Sequence, residues 1–326
     1  MKKSKFIYKR HIAMLLLLMI IMLTGCSIDN SKSVIGGDIS SNSNSKPDYQ
    51  SNDNSVKDTA SKVTANGLLK VHFINVGQGD SILVQQGSHN MLIDAGTNAS
   101  TETLLNYLKS QNIKKLDYLI LSHPHEDHIG GADAVINSLN IGTIYMPKVT
   151  TNTKTFKDVV TAMNKKSLKA KEPVVGTNFK LGDANCNILG PINTVSGDLN
   201  TYSIVLKVTF ENNKFLFTGD AQVSNEKDMV NKGLDLSADV LKLGHHGSHT
   251  STSLDFLNKV HPKYAALSCG VKNDYGHPHK EVMQRLQAKN VKLYRTDESG
   301  TIICQSDGKN ISFNTKLGDY KNGSSN

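Results

Sequence analysis

The sequence predicts an α/β fold in which two mixed β-sheets are covered by helices. Three observations lead there. Apolar runs of strand length recur at Leu69–Asn75, Ser81–Gln85, Met91–Asp94, Tyr118–Leu121, Ser203–Phe210, Phe215–Thr218, Val240–Leu243, Tyr264–Ser268 and Thr301–Gln305. Between them, helical spacing of apolar residues marks Leu104, Leu105 and Leu108, then Ala132, Val135, Ile136 and Leu139, then Phe156, Val159, Val160 and Met163, and finally Val282 and Leu286. Several strand runs also end directly on histidine or aspartate, as where layered α/β proteins line a crevice at the carboxyl ends of their strands.

Taken in order, the chain opens with a basic start carrying Lys2, Lys3, Lys5, Lys9 and Arg10, followed by an apolar run, Ile12 to Leu23, too short for a confident membrane span. Leu23-Thr24-Gly25-Cys26 resembles the lipobox of bacterial lipoproteins. The resemblance implies a signal peptide over residues 1–25, lipidation of Cys26, and a location on the extracytoplasmic face of the cell membrane; an uncleaved anchor would place the rest of the chain on the same side. Residues 26–66 are rich in Ser, Asn, Asp and Lys and hold too little apolar surface to offset their ordering entropy. As a flexible coil this tether would span on the order of 35 Å. The next 250 or so residues, 67–318, suffice for one domain burying roughly three-quarters of its unfolded surface, and 319–326 reads as a disordered tail.

The net charge of +8 is mostly the targeting segment, whose removal leaves 32 Lys+Arg against 29 Asp+Glu, a net +3. Composition therefore does not argue for tight nucleic-acid binding, which needs a localised basic stripe. Lys165, Lys166, Lys169 and Lys171 are better explained as a solvated face. Beyond Cys26, the odd set Cys186, Cys269 and Cys304 cannot form a complete disulfide framework and lacks metal-motif spacing, so buried small apolar side chains are expected, with room for one pair.

The chemistry concentrates in His123-Pro124-His125-Glu126-Asp127-His128. A strand-like run precedes this stretch and a helical pattern follows it, so the imidazoles and the carboxylate lie on a strand-to-helix loop that can aim them at one point. Neutral imidazole suits zinc, manganese or iron, and Asp127 adds a harder oxygen ligand. About a hundred residues on, the run Lys214 to Thr218 ends on Gly219-Asp220, and Asp239 to Leu243 ends on Gly244-His245-His246-Gly247-Ser248. Asp220 can bridge two metals through its two oxygens. Periodicity does not decide between His245 and His246; His245 is assigned to the metal and His246 to a supporting position behind it.

These motifs, together with Phe73-Ile74-Asn75-Val76-Gly77-Gln78-Gly79-Asp80-Ser81, Leu92-Ile93-Asp94-Ala95-Gly96 and Asp274-Tyr275-Gly276-His277-Pro278, resemble the metallo-β-lactamase superfamily and, within it, the extracytoplasmic hydrolase domain of the ComEC competence-protein family. The resemblance runs from about residue 68 to about residue 314. It implies a four-layer αββα sandwich, with His123, His125 and Asp220 holding one metal and Asp127, His128, Asp220 and His245 the other. Two divalent ions are expected, zinc first and manganese as the alternative. Many superfamily members carry a lone metal-binding histidine between the first motif and the Asp, and Asp198 to Ser203 has none, which weakens the first site. ComEC also has membrane-spanning pore segments, of which this chain shows no array.

Two cations sharing Asp220 would lower the pKa of a water between them from about 15.7 towards about 7 and clamp a phosphoryl group. Asp127 and His277 are the expected catalytic groups, His277 contacting the phosphate or protonating the leaving oxygen. His246, Ser248, Asn273, Tyr275 and His279 are candidate substrate contacts, with Ser248 and Ser251 equally readable as turn or helix-cap residues. Asp80 and Asp94 read as carboxylates that fix loops or ligands. The implied function is a monomeric phosphodiesterase acting on extracellular nucleic acid. The alternatives are an envelope phosphodiesterase of the teichoic-acid phosphocholine esterase type and a non-catalytic DNA-binding surface module, against which the intact ligand pattern counts.

Overall fold

The computed structural model describes residues 67–323. The expected signal peptide, Cys26 and the 26–66 linker lie outside the described residues. The first sheet begins with β1 (Leu69–Phe73), β2 (Ile82–Gln86), β3 (His89–Ile93), β4 (Lys115–Ile120), β5 (Asn140–Tyr145) and β6 (Ala170–Lys171). The second is β7 (Asn178–Leu181), β8 (Ala184–Gly190), β9 (Val205–Phe210), β10 (Asn213–Phe217), β11 (Val240–Lys242), β12 (Tyr264–Leu267) and β13 (Lys292–Arg295). The chain then returns to the first sheet with β14 (Ile302–Ser306) and β15 (Ile311–Phe313).

The sheet orders are β15-β14-β1-β2-β3-β4-β5-β6 and β13-β12-β11-β10-β9-β8-β7, and both sheets are mixed in the same way. Pairing is antiparallel up to β3 in one and up to β10 in the other, then parallel from β3 to β6 and from β10 to β13. Parallel neighbours need crossovers. These are supplied by α1 (Thr101–Ser110), α2 (Glu126–Ile129), α3 (Ala132–Ser138) and α4 (Lys154–Lys165) on the first sheet, and by α5 (Val223–Asn231), α6 (Leu254–Val260) and α7 (Lys280–Ala288) on the second.

Alternation along the strands builds the layers. Ile82 and Val84 on β2 and Phe215 and Phe217 on β10 point between the sheets into one core, whereas Leu83 and Leu216 face the helices on either outside, as a period of two requires. The expected αββα sandwich is thus the observed one. Among the helices, α4 shows how the outer layers are set. Thr153 caps it by accepting from the Phe156 amide, and Phe156, Val159 and Met163 bury one face.

Three differences from expectation have physical causes. Strands β5, β7, β8, β13 and β15 and helix α5 lack a strong apolar signal, because they are edge or half-covered elements: β7 reads exposed-intermediate-exposed-buried, and α5 buries Asn225, Glu226 and Met229. The domain does not end at residue 318. Arg295, itself buried, donates to the carbonyls of Asp319 and Lys321 at 3.2 and 2.6 Å, and Tyr320 donates to the Val291 carbonyl at 2.5 Å, so these residues belong to the fold rather than to a tail. Cys186, Cys269 and Cys304 are buried and free, with no pair among them.

Candidate metal centre

Every element of the centre is a strand end. Asp94 follows β3 and turns in a left-handed conformation, φ 58°; residues 122–128 follow β4; Asp220 follows β10, His245 and His246 follow β11, and the loop after β12 leads to His277. The carboxyl ends of parallel strands lie at one edge of each sheet, so the two sheets bring their ligands together there. Gly219, at φ 50°, makes the turn that presents Asp220, and a Cβ on it would meet Ser122 Cβ at 3.0 Å.

Asp220 is buried and is the hub. His128 Nε2 and His246 Nε2 lie 3.3 and 3.6 Å from its Oδ1, while His123 Nε2 and His245 Nε2 lie 3.8 and 3.6 Å from its Oδ2. Asp127 Oδ2 closes the first group, 3.6 Å from His128 Nε2 and 3.2 Å from His246 Nε2. Donors of Asp127, His128, Asp220 and His246 all fall within 4.8 Å of one another. On the other side His125 Nδ1 stands 3.0 Å from His123 Nε2. Nitrogen and oxygen ligands at about 2.1 Å around a tetrahedral ion are separated by about 3.4 Å, the spacing seen here. The decisive fit is that His128 Nε2, His246 Nε2 and Asp220 Oδ1 are buried without a hydrogen-bond partner. Such orphans are costly unless something binds them.

The assignment of the adjacent pair is therefore corrected. His246, not His245, joins Asp127, His128 and Asp220; its Nδ1 donates to the Ser268 carbonyl at 3.0 Å, which turns Nε2 inward. His245 faces the opposite oxygen of Asp220. His128 and His123 are oriented from behind. Asp94 Oδ2 accepts from His128 Nδ1 at 2.9 Å and its carboxylate also takes the Ser122 amide and hydroxyl, each at 2.7 Å. The hydroxyls of Ser122 and Ser203 hold His123 Nδ1. Asp80 binds Lys242 Nζ at 2.8 Å, both fully enclosed. Asp80 and Asp94 thus sit where expected; Lys242 was missed, because a lysine inside a strand run carries no pattern that marks it as buried.

Charge balances in a consistent way. Burial would raise the Asp220 carboxyl, but His128 and His246 pull it well below the usual range. Burial would lower His246, yet Asp220 and Asp80 outweigh it and lift the ring to about 10; His128 is likewise raised, by Asp220, Asp127 and Asp94. His123 and His245 are lowered, first by burial. The carboxylates that raise His128 and His246 would equally favour a divalent cation between these rings, which competes with their protons.

Above the centre is a pocket of about 410 Å³ lined by Gln78, His125, Glu126, Asp127, Asn200, Asp220, His245, His246, Tyr275 and His277. His277 is pulled down to about 3 by burial and by the rings of His246, His245 and His279, so it is neutral at physiological pH. Tyr275 stands exposed at the mouth with its ring stacked at 5.5 Å on His277. Three of the expected substrate contacts are not among the residues lining this pocket and make hydrogen bonds within the loops. Asn273 holds the backbone of Gly270, Tyr275 and His277, His279 pairs with His249, and Ser248 pairs with Thr250. Ser251 donates to the Ala221 carbonyl. Gln78 and Asn200 reach the pocket unannounced by spacing, although Gln78 lies within one of the glycine motifs.

The profile of the metallo-beta-lactamase superfamily matches residues 74–271. The chain is 32% identical over 253 residues to ComE operon protein 3 of Bacillus subtilis (strain 168), covering 72% of this chain and 32% of that protein. It is 35% identical over 230 residues to competence protein ComA of Neisseria gonorrhoeae, covering 70% and 31%. The chain therefore spans about a third of the length of these curated relatives. Among solved structures, the metallo-beta-lactamase fold protein YhfI of Bacillus subtilis aligns with a TM-score of 0.49 at 17% identity, covering 73% of this chain and 99% of that one. With its two mixed sheets and its histidine and aspartate cluster, the chain belongs to the metallo-β-lactamase superfamily of metal-dependent hydrolases and is related within it to the ComEC-type competence proteins.

Proposed function

We propose that this chain is a lipid-anchored, extracytoplasmic phosphodiesterase that hydrolyses nucleic acid with two divalent ions, zinc first and manganese as the alternative. The observation that carries the proposal is the convergence of four imidazoles on the two oxygens of buried Asp220 beneath an open pocket, with His128 Nε2, His246 Nε2 and Asp220 Oδ1 buried and unpartnered. Two ions held there would supply Lewis-acid charge to a phosphoryl oxygen and acidify water. Competence and recombination appear in the names of two curated relatives, competence protein ComA and recombination protein 2, which supports nucleic acid as the substrate class. Location outside the membrane rests on the lipobox-like start; among the described residues no helix is long and apolar enough to cross a membrane.

The chain's own residues divide the work. Asp127, held ionised and half-open to the pocket, is placed to accept a proton from water. His277 Nδ1 faces the Gln78 amide at 3.4 Å, and with that amide donating, Nε2 carries the ring's proton and can donate to a phosphate oxygen. Because the ring is neutral, contacting the phosphate rather than protonating the leaving group is its role. Tyr275 and Gln78 border the space a substrate would fill.

The test is turnover of bis-p-nitrophenyl phosphate, DNA, RNA and a choline phosphodiester by the full chain with Zn²⁺ or Mn²⁺, beside Asp220→Ala. The expected result is nucleic-acid and model-ester cleavage, both lost in the variant. Cleavage of the choline diester with intact DNA and RNA would move the substrate to the envelope, and no turnover in any metal would overturn the catalytic reading.

A further inference from the structure

We infer that the adjacent residues His245 and His246 serve different metal ions, His246 on the Asp127 and His128 side and His245 as the fourth ligand on the His123 and His125 side. The inference rests on the dinuclear reading above and goes beyond it. With His123, His125 and Asp220 alone, that side has three protein donors, whereas Asp127, His128, Asp220 and His246 already make four. His245 Nε2 lies 3.6 Å from Asp220 Oδ2, the same oxygen that His123 Nε2 faces at 3.8 Å. Its other nitrogen, Nδ1, is held by the Thr250 hydroxyl at 2.9 Å. His246 is built alike, Nδ1 on the Ser268 carbonyl and Nε2 towards Asp220 Oδ1. A ring pinned by one nitrogen with the other directed at a carboxylate hub is the arrangement of a metal ligand.

The backbone carries the second, independent observation. His245 (φ 49°, ψ 47°) and His246 (φ 52°, ψ 29°) are both left-handed, followed by Gly247 at φ 78°. Two successive non-glycine residues in this region are uncommon, and such strain persists where the surroundings demand it. Continuing β11 as a strand would send the two rings to opposite faces; the left-handed turn aims both at Asp220. Beside His245 Nε2, at 3.5 Å, is the Asn200 amide nitrogen, and Asn200 Oδ1 is buried without a partner. Asn200 and His245 both line the pocket, so the proposed ligand sits against a polar wall.

Calorimetric titration of the full chain with Zn²⁺ tests the assignment. The wild type should bind two ions. His245→Gly should keep one and bind the other at least about tenfold more weakly. Asp127→Ala should weaken the opposite site, and the tighter ion that remains should itself weaken at least about tenfold when His245→Gly is added but keep its affinity when His246→Gly is added. Glycine is at ease in a left-handed turn, so the chelator-treated His245→Gly chain should unfold no earlier than the wild type, and His245→Asn, which also tolerates the turn, should repeat the weakening of one ion. Two ions at wild-type affinity in both His245 variants, or an ion that keeps its Asp127→Ala affinity when His245→Gly is added, would overturn the assignment alone. A wild-type chain that binds no ion would overturn it together with the dinuclear reading.

Discussion

Lys242 lies at the end of β11, fully enclosed, with Nζ 2.8 Å from Asp80 Oδ2 and 2.9 Å from the Leu243 carbonyl. Asp80 is also buried, and its Oδ1 sits 3.5 Å from His246 Nδ1. Lys242→Met keeps much of the side-chain volume but leaves Asp80 as an unpaired carboxylate in the core. Removing one partner of a buried pair costs about 3–5 kcal/mol. A second route gives a similar size. Burial would raise the Asp80 carboxyl, yet Lys242 and then His246 hold it at about 2 rather than 3.8, a difference worth roughly 2.4 kcal/mol. The folded value is the lower one, so this stabilisation is complete above a pH of about 4 and fades as pH falls towards about 2. Urea unfolding at neutral pH should show the Lys242→Met loss, equivalent to roughly 10 °C in Tm, with the slope against urea unchanged. Adding Asp80→Asn removes the orphaned charge and should recover most of the loss. A cost below about 1 kcal/mol, or an Asp80→Asn change that deepens the loss, would refute the reasoning.

Three further predictions follow from the same geometry. Asp94→Asn replaces the carboxylate that orients His128 and should weaken zinc binding by about 10–100-fold, read by calorimetry; unchanged affinity would show that His128 is positioned without it. Because His246 at about 10 and the raised His128 must shed protons to ligate, zinc affinity should climb as pH rises, by up to about 100-fold per pH unit for two protons; calorimetry in buffers of different ionisation enthalpy counts the protons released, and a pH-independent affinity would be the contrary result. A Cβ at Gly130 would stand 2.2 Å from the Asn98 amide nitrogen and from the Thr97 carbonyl carbon, so Gly130→Ala should destabilise the loop that carries the motif by more than about 3 kcal/mol, measured by thermal unfolding; a wild-type midpoint would mean that the backbone there yields freely.

Much of the architecture is legible in the order of the residues. Strands that are buried on both faces, such as Leu69–Phe73 and Asn213–Phe217, write themselves as apolar runs, and the face of α4 writes itself in Phe156, Val159 and Met163. Elements that meet the rest along part of one face, β7 and α5 among them, leave no such trace because their residues need satisfy only that contact. At the centre, the ligand types at 123–128 and 220 are readable because few other demands place three imidazoles and a carboxylate together in one short loop. Roles that depend on a distant partner are not: Lys242 is marked only by Asp80, more than a hundred residues away, and Asn273 only by the loop it ties.

By itself the sequence determined the layered α/β class and the strand-end location of the ligands, since both follow from local periodicity and residue chemistry; Asp220 as their common neighbour was expected with the family resemblance, and its distances to the four rings come from the tertiary structure. Which of His245 and His246 meets Asp127 and His128 was decided by the tertiary structure. That choice hangs on a left-handed turn and on two anchors, the Ser268 carbonyl and the Thr250 hydroxyl, that rotate neighbouring rings towards opposite oxygens of one carboxylate; spacing along the chain places two adjacent side chains but says nothing of the rotation that separates them.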